Sequence, residues 1–476
     1  MKRCPSLASL TFLTAAATCA LLSGCLSRPP LPTADVATPA AYRHASSAAG
    51  GDIVSADWWR SFGSVELDRL VAQASARNND LAAAVARVKQ ARASATIAGA
   101  ARLPSVTGFA DASRVGGFMI NDNLPSGSAF DLGLSASYEI DFWGKNRATR
   151  DAAIERVRAS AFDRATVLMT LTADVADGWL QTVALRERET LAERNLHTAR
   201  EILRTVESQF RAGYVTALDV AQQRTLVASQ QRTVASLHQQ ADDSEALLAT
   251  LLGVPATGFA VATRTLDSVG APDVDAGVPS SLLVRRPDVA FAEAQLAAAH
   301  ADVAAARAAM FPSITLTAYV GTGGDQVRRI FDNPLYSLAD GFTAPIFDAG
   351  ALAAGRDLAL AQEEELLAAY RQAIVTAFAD VERALNAIAG ADAQHRAQDD
   401  ERHEAQHTLE LARSRYQAGA QTALTVLDAQ RTLYSADDEL IQTRLARLLA
   451  AVSMYRALGG GWHADNARTR HSIHSD

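Results

Sequence analysis

Five residues carry the spacing of a catalytic metal site. His403-Glu404-Ala405-Gln406-His407 has the H-E-x-x-H pattern, in which two histidines one helical turn apart bind zinc and the glutamate acts as base. The pattern fails on its surroundings. Zinc catalysis needs a third protein ligand and an enclosed cleft, and no histidine follows at the short spacing that one protease class uses. The run 394–402 is polar on every face, as a solvated helix is. No nucleophile elbow, phosphate loop or Cys-x-x-Cys pair stands elsewhere. Gly459-Gly460-Gly461 lacks the preceding strand and following helix of a phosphate-binding turn. No catalytic residue, metal site or enzyme activity is expected. A smaller constellation survives: Leu424, Asp428 and Arg431 are four and three apart and so share one helix face. Taken alone, Asp428 and Arg431 read as a solvated ion pair.

Chemistry of another kind is written at the N-terminus. Lys2 and Arg3 precede an apolar stretch, 7–22, that is too short for a comfortable membrane span. It ends in Leu22-Ser23-Gly24-Cys25, which resembles a bacterial lipobox. That resemblance implies a signal peptide 1–24, cleavage before Cys25, and a covalent N-acyl and S-diacylglycerol lipid on Cys25; the plain alternative is a buried or redox cysteine. Of the three cysteines, Cys4 and Cys19 would leave with the signal peptide. Losing Lys2 and Arg3 takes Lys+Arg from 45 to 43 against 53 acidic residues, so the charge moves from −8 to −10. With no Lys/Arg-rich run, nucleic acid is excluded as a partner. Leu26 and Ser27 follow the cysteine; the absence of an aspartate there implies the outer membrane rather than retention at the inner one.

The elements that must position these residues come in duplicate. Arg102-Leu103-Pro104-Ser105-Val106 returns as Met310-Phe311-Pro312-Ser313-Ile314, 208 positions on. Phe210-Arg211-Ala212-Gly213 returns as Tyr416-Gln417-Ala418-Gly419 at 206. A steady offset over several landmarks means a duplicated unit. Residues 25–56 are rich in Pro, Ala and Ser and read as a tether. The copies are expected at 57–252 and 281–458, separated by a linker 253–280 and followed by a tail 459–476. No proline occurs between Pro125 and Pro255 or after Pro345; since proline costs about 3 kcal/mol inside a helix, long helical hairpins are expected at about 146–252 and 349–458. Val220, Val227, Val234, Ala241 and Leu248 step by seven, as do Val426, Leu433, Leu440, Arg447 and Met454. A second stripe on the later helix runs from Leu424 and Leu427 through Arg431, Tyr434 and Asp438 to Tyr455. Heptads imply a left-handed supercoil, and two stripes imply two neighbours, which fits a ring of helices; an ordinary helical bundle is the alternative.

Period two marks the remaining segments. Leu132, Leu134, Ala136, Tyr138 and Ile140 alternate with small or polar residues, as do Ile314, Leu316, Ala318 and Val320. Strands are expected at about 104–115, 130–140, 312–321 and 336–346, with loops at 116–129 and 322–335. Four strands cannot close a membrane barrel, and an open edge in lipid leaves backbone groups unpaired. The chain must share its barrel with other copies.

These residues resemble the TolC-like outer-membrane efflux proteins, in the lipid-anchored branch that serves resistance-nodulation-division (RND) pumps. The match opens with Trp58-Trp59, Phe62, Leu67, Leu70, Asn78 and Asp80-Leu81. It resumes with Leu283, Arg285-Arg286-Pro287-Asp288-Val289 and Phe311-Pro312-Ser313-Ile314, and closes with Ala457-Leu458-Gly459-Gly460-Gly461-Trp462. It spans roughly 57–462. The resemblance implies a mainly α fold with a membrane β-barrel: a homotrimer whose twelve-stranded barrel continues into a twelve-helix coiled-coil α-barrel across the periplasm, girdled by 57–70, 253–285 and the segment after 459. It implies a passive channel for drugs and toxic compounds, working with an inner-membrane RND-type pump and a periplasmic adaptor (membrane fusion) protein, and seated in outer-membrane lipid of a Gram-negative bacterium. Arg211, Gly213, Gln417 and Gly419 would form the adaptor-contacting tip turns. Asp428 matches the family's ring of aspartates at the closed tip, with Leu424 as an apolar constriction and Arg431 relieving the repulsion or binding a neighbouring helix. Gln222 stands at the position of Asp428 in the first copy, Thr425 replaces a second acid and Gln421 an arginine, so only a single acidic ring is implied. Two other readings remain at this point: a channel for one-step protein secretion, and a coiled-coil lipoprotein or adhesin without a pore.

Overall fold

The structure is a computed structural model describing residues 30–43, 54–116 and 127–463. Cys25 and the signal segment 1–24 lie outside the described residues, as do parts of the tether and the tail from 464 on. The described chain divides into two compact units.

One unit, drawn chiefly from 87–160 and 291–371, holds a four-stranded antiparallel sheet. Strands β1 (Ser105–Val115), β2 (Gly127–Ile140), β3 (Ser313–Gly324) and β4 (Asn333–Thr343) lie in sequence order, so β1 and β4 are open edges. Ser105 faces Ser137 across the first pair, and Ser313 faces Thr343 across the second, a hairpin two residues shorter. That difference is where the repeat offset falls from 208 to 206. Two strands are longer than the alternation indicates. β2 starts at Gly127 and β3 runs to Gly324, because glycine shows no periodicity yet still ladders: Phe130 pairs with Gly324, and Gly323 with Asn333. β4 begins three residues before 336 and stops at Thr343 rather than 346. Ahead lies Pro345, which has no N–H to give a ladder.

Directly paired residues share a face. One face carries Val106, Leu132, Leu134, Leu316, Val320, Leu338 and Phe342, all exposed. The other is mostly small and polar, apart from Leu335 and from Phe109 stacked on Tyr319 at 5.5 Å. At the base of the strands Trp143 stacks on Phe311 at 4.6 Å and donates its indole N–H to the Pro312 carbonyl at 2.8 Å. Among the described residues no helix is long and apolar enough to cross a membrane.

The helices repeat in length. α1 spans Val65–Arg77, and α2 (Asn79–Ala100) is matched by α5 (Pro287–Ala308), each of 22 residues. α3 (Lys145–Arg211) is matched by α6 (Ala351–Gln417), each of 67 residues and so about 100 Å long. α4 (Ala217–Leu251) is matched by α7 (Ala423–Ala457), each of 35. In the sheet-bearing unit α3 and α5 are joined by the Arg156–Asp302 pair, and α5 and α6 by buried His300 against Glu363 at 2.6 Å.

The second unit contains 161–290 and the described chain after 372. Its core includes Trp179, Leu180, Leu248, Leu252, Leu448 and Met454. The linker after α4 is pinned to the helices through a carboxylate. Glu66 accepts from the Ala262 and Thr263 amides at 2.7 and 3.0 Å, the Thr263 hydroxyl at 2.6 Å and the Trp179 indole at 3.1 Å. Burial raises its pKa, but these bonds outweigh burial and hold it below the usual glutamate range. Trp58 stacks on Tyr455 at 4.9 Å. After α7, Gly459, Gly460 and Gly461 all have positive φ (94°, 58° and 75°). A Cβ on them would meet the Arg285 carbonyl at 2.0 Å, Met169 at 2.8 Å and the Ser55 carbonyl at 2.4 Å. These glycines thread a gap that no side chain fits.

Candidate functional site at the helical turns

The turn from α3 to α4 follows Arg211. Gly213 sits at φ 83°, and the Tyr214 amide returns to the Gln209 carbonyl at 2.9 Å; glycine is the residue that adopts this αL position without a Cβ penalty. Thr216 then caps α4 reciprocally with Asp219, and the Thr216 hydroxyl and amide hold the Asp219 carboxyl below its ordinary pKa. The turn from α6 to α7 repeats the first half: after Gln417, Gly419 has φ 71° and the Ala420 amide bonds the Arg415 carbonyl at 2.8 Å. It lacks the second half. Thr425 stands where Asp219 stands in the first copy, and Thr422 makes no side-chain cap.

Leu424, Asp428 and Arg431 lie together on one exposed face of α7. Arg431 Nη1 is 3.8 Å from Asp428 Oδ1, with the side chains 50% and 62% exposed. That distance is an ion pair without a hydrogen bond, so Arg431 takes up none of the carboxylate's lone pairs. Behind this face Leu427 packs with Leu196, Ala199 and Leu226 of the first hairpin, and Ala429 with Leu409 and Ala412 of α6. The face is thus carried on a backbone held from both sides.

Sequence reading did not single out the ties between hairpins. Arg188 donates to both oxygens of Asp438 at 2.7 and 2.9 Å, and Tyr416 Oη donates to Gln209 at 3.2 Å. Asp438 occupied a position in the apolar stripe, and its one signal was being a charge there. Arg447, in the heptad series, is buried against Asp392 at 2.7 Å. Gln430, fully buried, has no hydrogen-bond partner for either amide atom among the described residues. His403, Glu404 and His407 are exposed on α6, and among the described residues no three metal-ligating side chains converge.

The Arg285-Arg286-Pro287-Asp288 block forms a second polar centre. Arg286 is buried and forks onto Asp288 at 2.9 and 2.6 Å; it also bonds Asp380 at 3.0 Å and the Ala457 carbonyl at 3.3 Å. Burial lowers its pKa, and the two aspartates more than reverse that. Nearby, burial pushes Asp177 up to about 7, opposed by Arg456 and reinforced by Asp174.

A sheet with one lipophilic face and two open edges, joined to two matched pairs of long helices, defines a subunit of an outer-membrane channel. The comparisons agree. The sequence model described as outer membrane efflux protein matches residues 70–254 and 278–460, one copy of the duplication each. The chain belongs to this family. It is 48% identical over 467 residues to the pyoverdine export outer membrane protein OpmQ of Pseudomonas aeruginosa, covering 96% of this chain and 98% of that one. To the cation efflux system protein CusC of Escherichia coli it is 31% identical over 414 residues, 86% and 89% of the two chains. The open-state MtrE channel of Neisseria gonorrhoeae superposes with a TM-score of 0.82 at 30% identity, covering 92% and 98%. This chain is an outer-membrane channel component of Gram-negative efflux.

Proposed function

We propose that three copies of this chain close one channel, that its tip docks a periplasmic adaptor, and that an inner-membrane RND-type pump supplies the cargo. The open β1 and β4 edges carry this reading, because lipid offers them no hydrogen-bonding partner. Cys25, lipidated, anchors the tether. Arg211, Gly213, Gln417 and Gly419 present the adaptor-contacting turns. Asp428 forms the acidic ring at the tip, its lone pairs left open by the long contact to Arg431, with Leu424 as the apolar constriction. Three carboxylates around a narrow axis repel one another and focus negative potential. The cargo is a siderophore of the pyoverdine kind, a reading supported by the 48% identity to OpmQ against 31% to CusC. The test measures siderophore in medium and periplasm of cells lacking this gene, beside a matched pump deletion. Periplasmic retention in the channel deletion supports the reading. Retention in the pump deletion alone would assign that pump another channel.

A further inference from the structure

The lipophilic face of the sheet carries two charges. Following the register, this face comprises the even-numbered residues of all four strands. Among them Arg114 on β1 and Asp340 on β4 are the charged side chains; both are exposed, and neither has an ion-pair partner among the described residues. They have opposite sign and stand one on each open edge. A lone charge facing lipid is costly, so intramembrane charges are found paired.

The duplication says where those edges meet. Within the chain the two copies join along β2 and β3. If copies of the chain join as the repeats do, β4 plays the part of β2 and β1 of the next copy plays that of β3. The paired positions transfer directly. Ser137 corresponds to Thr343, and Ser105 to Ser313, because these are matching ends of the two hairpins. The pair Leu132–Thr322 therefore becomes Leu338 opposite Arg114 of the next copy. Leu134–Val320 becomes Asp340 opposite Ala112, and Gly133–Gly321 becomes Ala339 opposite Ser113. Asp340 and Arg114 of the neighbouring copy then stand on one face as diagonal neighbours, about 7–8 Å apart at the backbone and within reach of an arginine side chain.

We propose that adjacent copies join by β4 against β1 in this register, and that Asp340 of one copy and Arg114 of the next form an inter-subunit ion pair that marks the seam. The proposal rests on the shared-barrel reading above and adds its register and its lock. In lipid, a two-residue slip that sets Asp340 opposite Ala110 would keep both faces correct but move Asp340 away from Arg114, leaving two bare charges; the opposite slip would set the two charges face to face, and only the repeat correspondence argues against it. Hydrophobic patterning alone does not penalise the first slip; the ion pair does.

The test uses the polar face, where an aqueous oxidant has access. In the full-length protein, Ala339→Cys is combined with Ser113→Cys, and separately with Asp111→Cys as a two-residue shift. Directly opposite residues have the 4.5–5.5 Å spacing that a disulfide needs. Under the shared-barrel and lipobox readings the acylated mature chain has no other thiol, since Cys4 and Cys19 lie in the signal segment. Copper-phenanthroline in membranes should link chains through the Ala339–Ser113 pair at least several-fold more than through Ala339–Asp111. Preferential linking of the shifted pair overturns the register while leaving shared closure intact. No linking in any pair, with monomers on native gels, overturns shared closure itself. The lock is tested by charge reversal. Arg114→Asp and Asp340→Arg should each lower the yield of assembled channel several-fold, and the double variant should recover most of it. Equal yields in all three overturn the ion pair.

Discussion

Replacing Arg286 by alanine tests whether the buried ion network, rather than its charge alone, holds the helices together. The side chain is 7% exposed. It ties the first turn of α5, through Asp288, to Asp380 on α6 and to the carbonyl that ends α7. Removing it orphans Asp288 and leaves Asp380 only its 3.5 Å contact with the exposed Arg383. For fully buried pairs that costs about 3–5 kcal/mol; Asp288 and Asp380 are 32% and 30% exposed, so partial rehydration brings the expectation to about 2–4 kcal/mol. Arg431→Ala removes the same charge from a 3.8 Å pair that is more than half in solvent, where the expectation is at most about 1 kcal/mol. Thermal unfolding of the detergent-purified channel, followed by tryptophan fluorescence, separates the two because Trp58 and Trp179 are buried in the same unit. At about 2–4 °C per kcal/mol, Arg286→Ala should lower the midpoint by about 4–16 °C and Arg431→Ala by at most about 4 °C. Adding Asp380→Ala to Arg286→Ala should restore part of the loss, since it removes one of the two carboxylates that Arg286 neutralised. Equal midpoints for the two arginine variants would refute the network argument.

Other expectations are independent of this one. Asp428→Ala should raise resting conductance in planar bilayers, and unchanged current would remove the residue from the gate. A Cβ added at Gly213 or Gly419 meets no atom within 4 Å, so the main cost of Gly213→Val and Gly419→Val is the positive φ, about 1–2 kcal/mol; adaptor crosslinking in cells should weaken while the channel still assembles, and unaltered crosslinking would show that these turns are not the interface. Asp177 has a folded pKa near 7 against an ordinary 3.8. Its protonated form favours folding below about pH 4, and that contribution is lost as pH rises through 7. Asp177→Asn should therefore be near neutral at pH 4 and stabilising at pH 8; a stability difference that does not vary with pH would count against it.

The duplicated helices were legible because proline is absent from them and because Val220, Val227 and Val234 mark a seven-residue step that recurs 206 positions later. The strands were legible where bulky residues alternate and blurred where glycine takes over, at Gly127 and at Gly321–Gly324. Asp428 was singled out by spacing and resemblance, and the structure places it with Leu424 and Arg431 on one exposed face of α7. The ion network was not found. Arg286 and Asp380 are 94 positions apart, and Arg188 and Asp438 are 250 apart. No local pattern joins such pairs, and in a helix stripe a charge that pairs across hairpins looks the same as one that faces water. Only the register of helix against helix decides it.

The three glycines after α7 have a consequence for heredity. Every glycine codon begins with the same two bases, so in this stretch nearly any change at those bases is missense or stop. Each missense change puts a Cβ at positive φ and against a carbonyl or Met169. The region therefore offers variation no small neutral step. Divergence among descendants of this gene should leave these codons as a fixed mark while the flanking helix drifts, and a laboratory library should recover almost nothing there but synonymous changes.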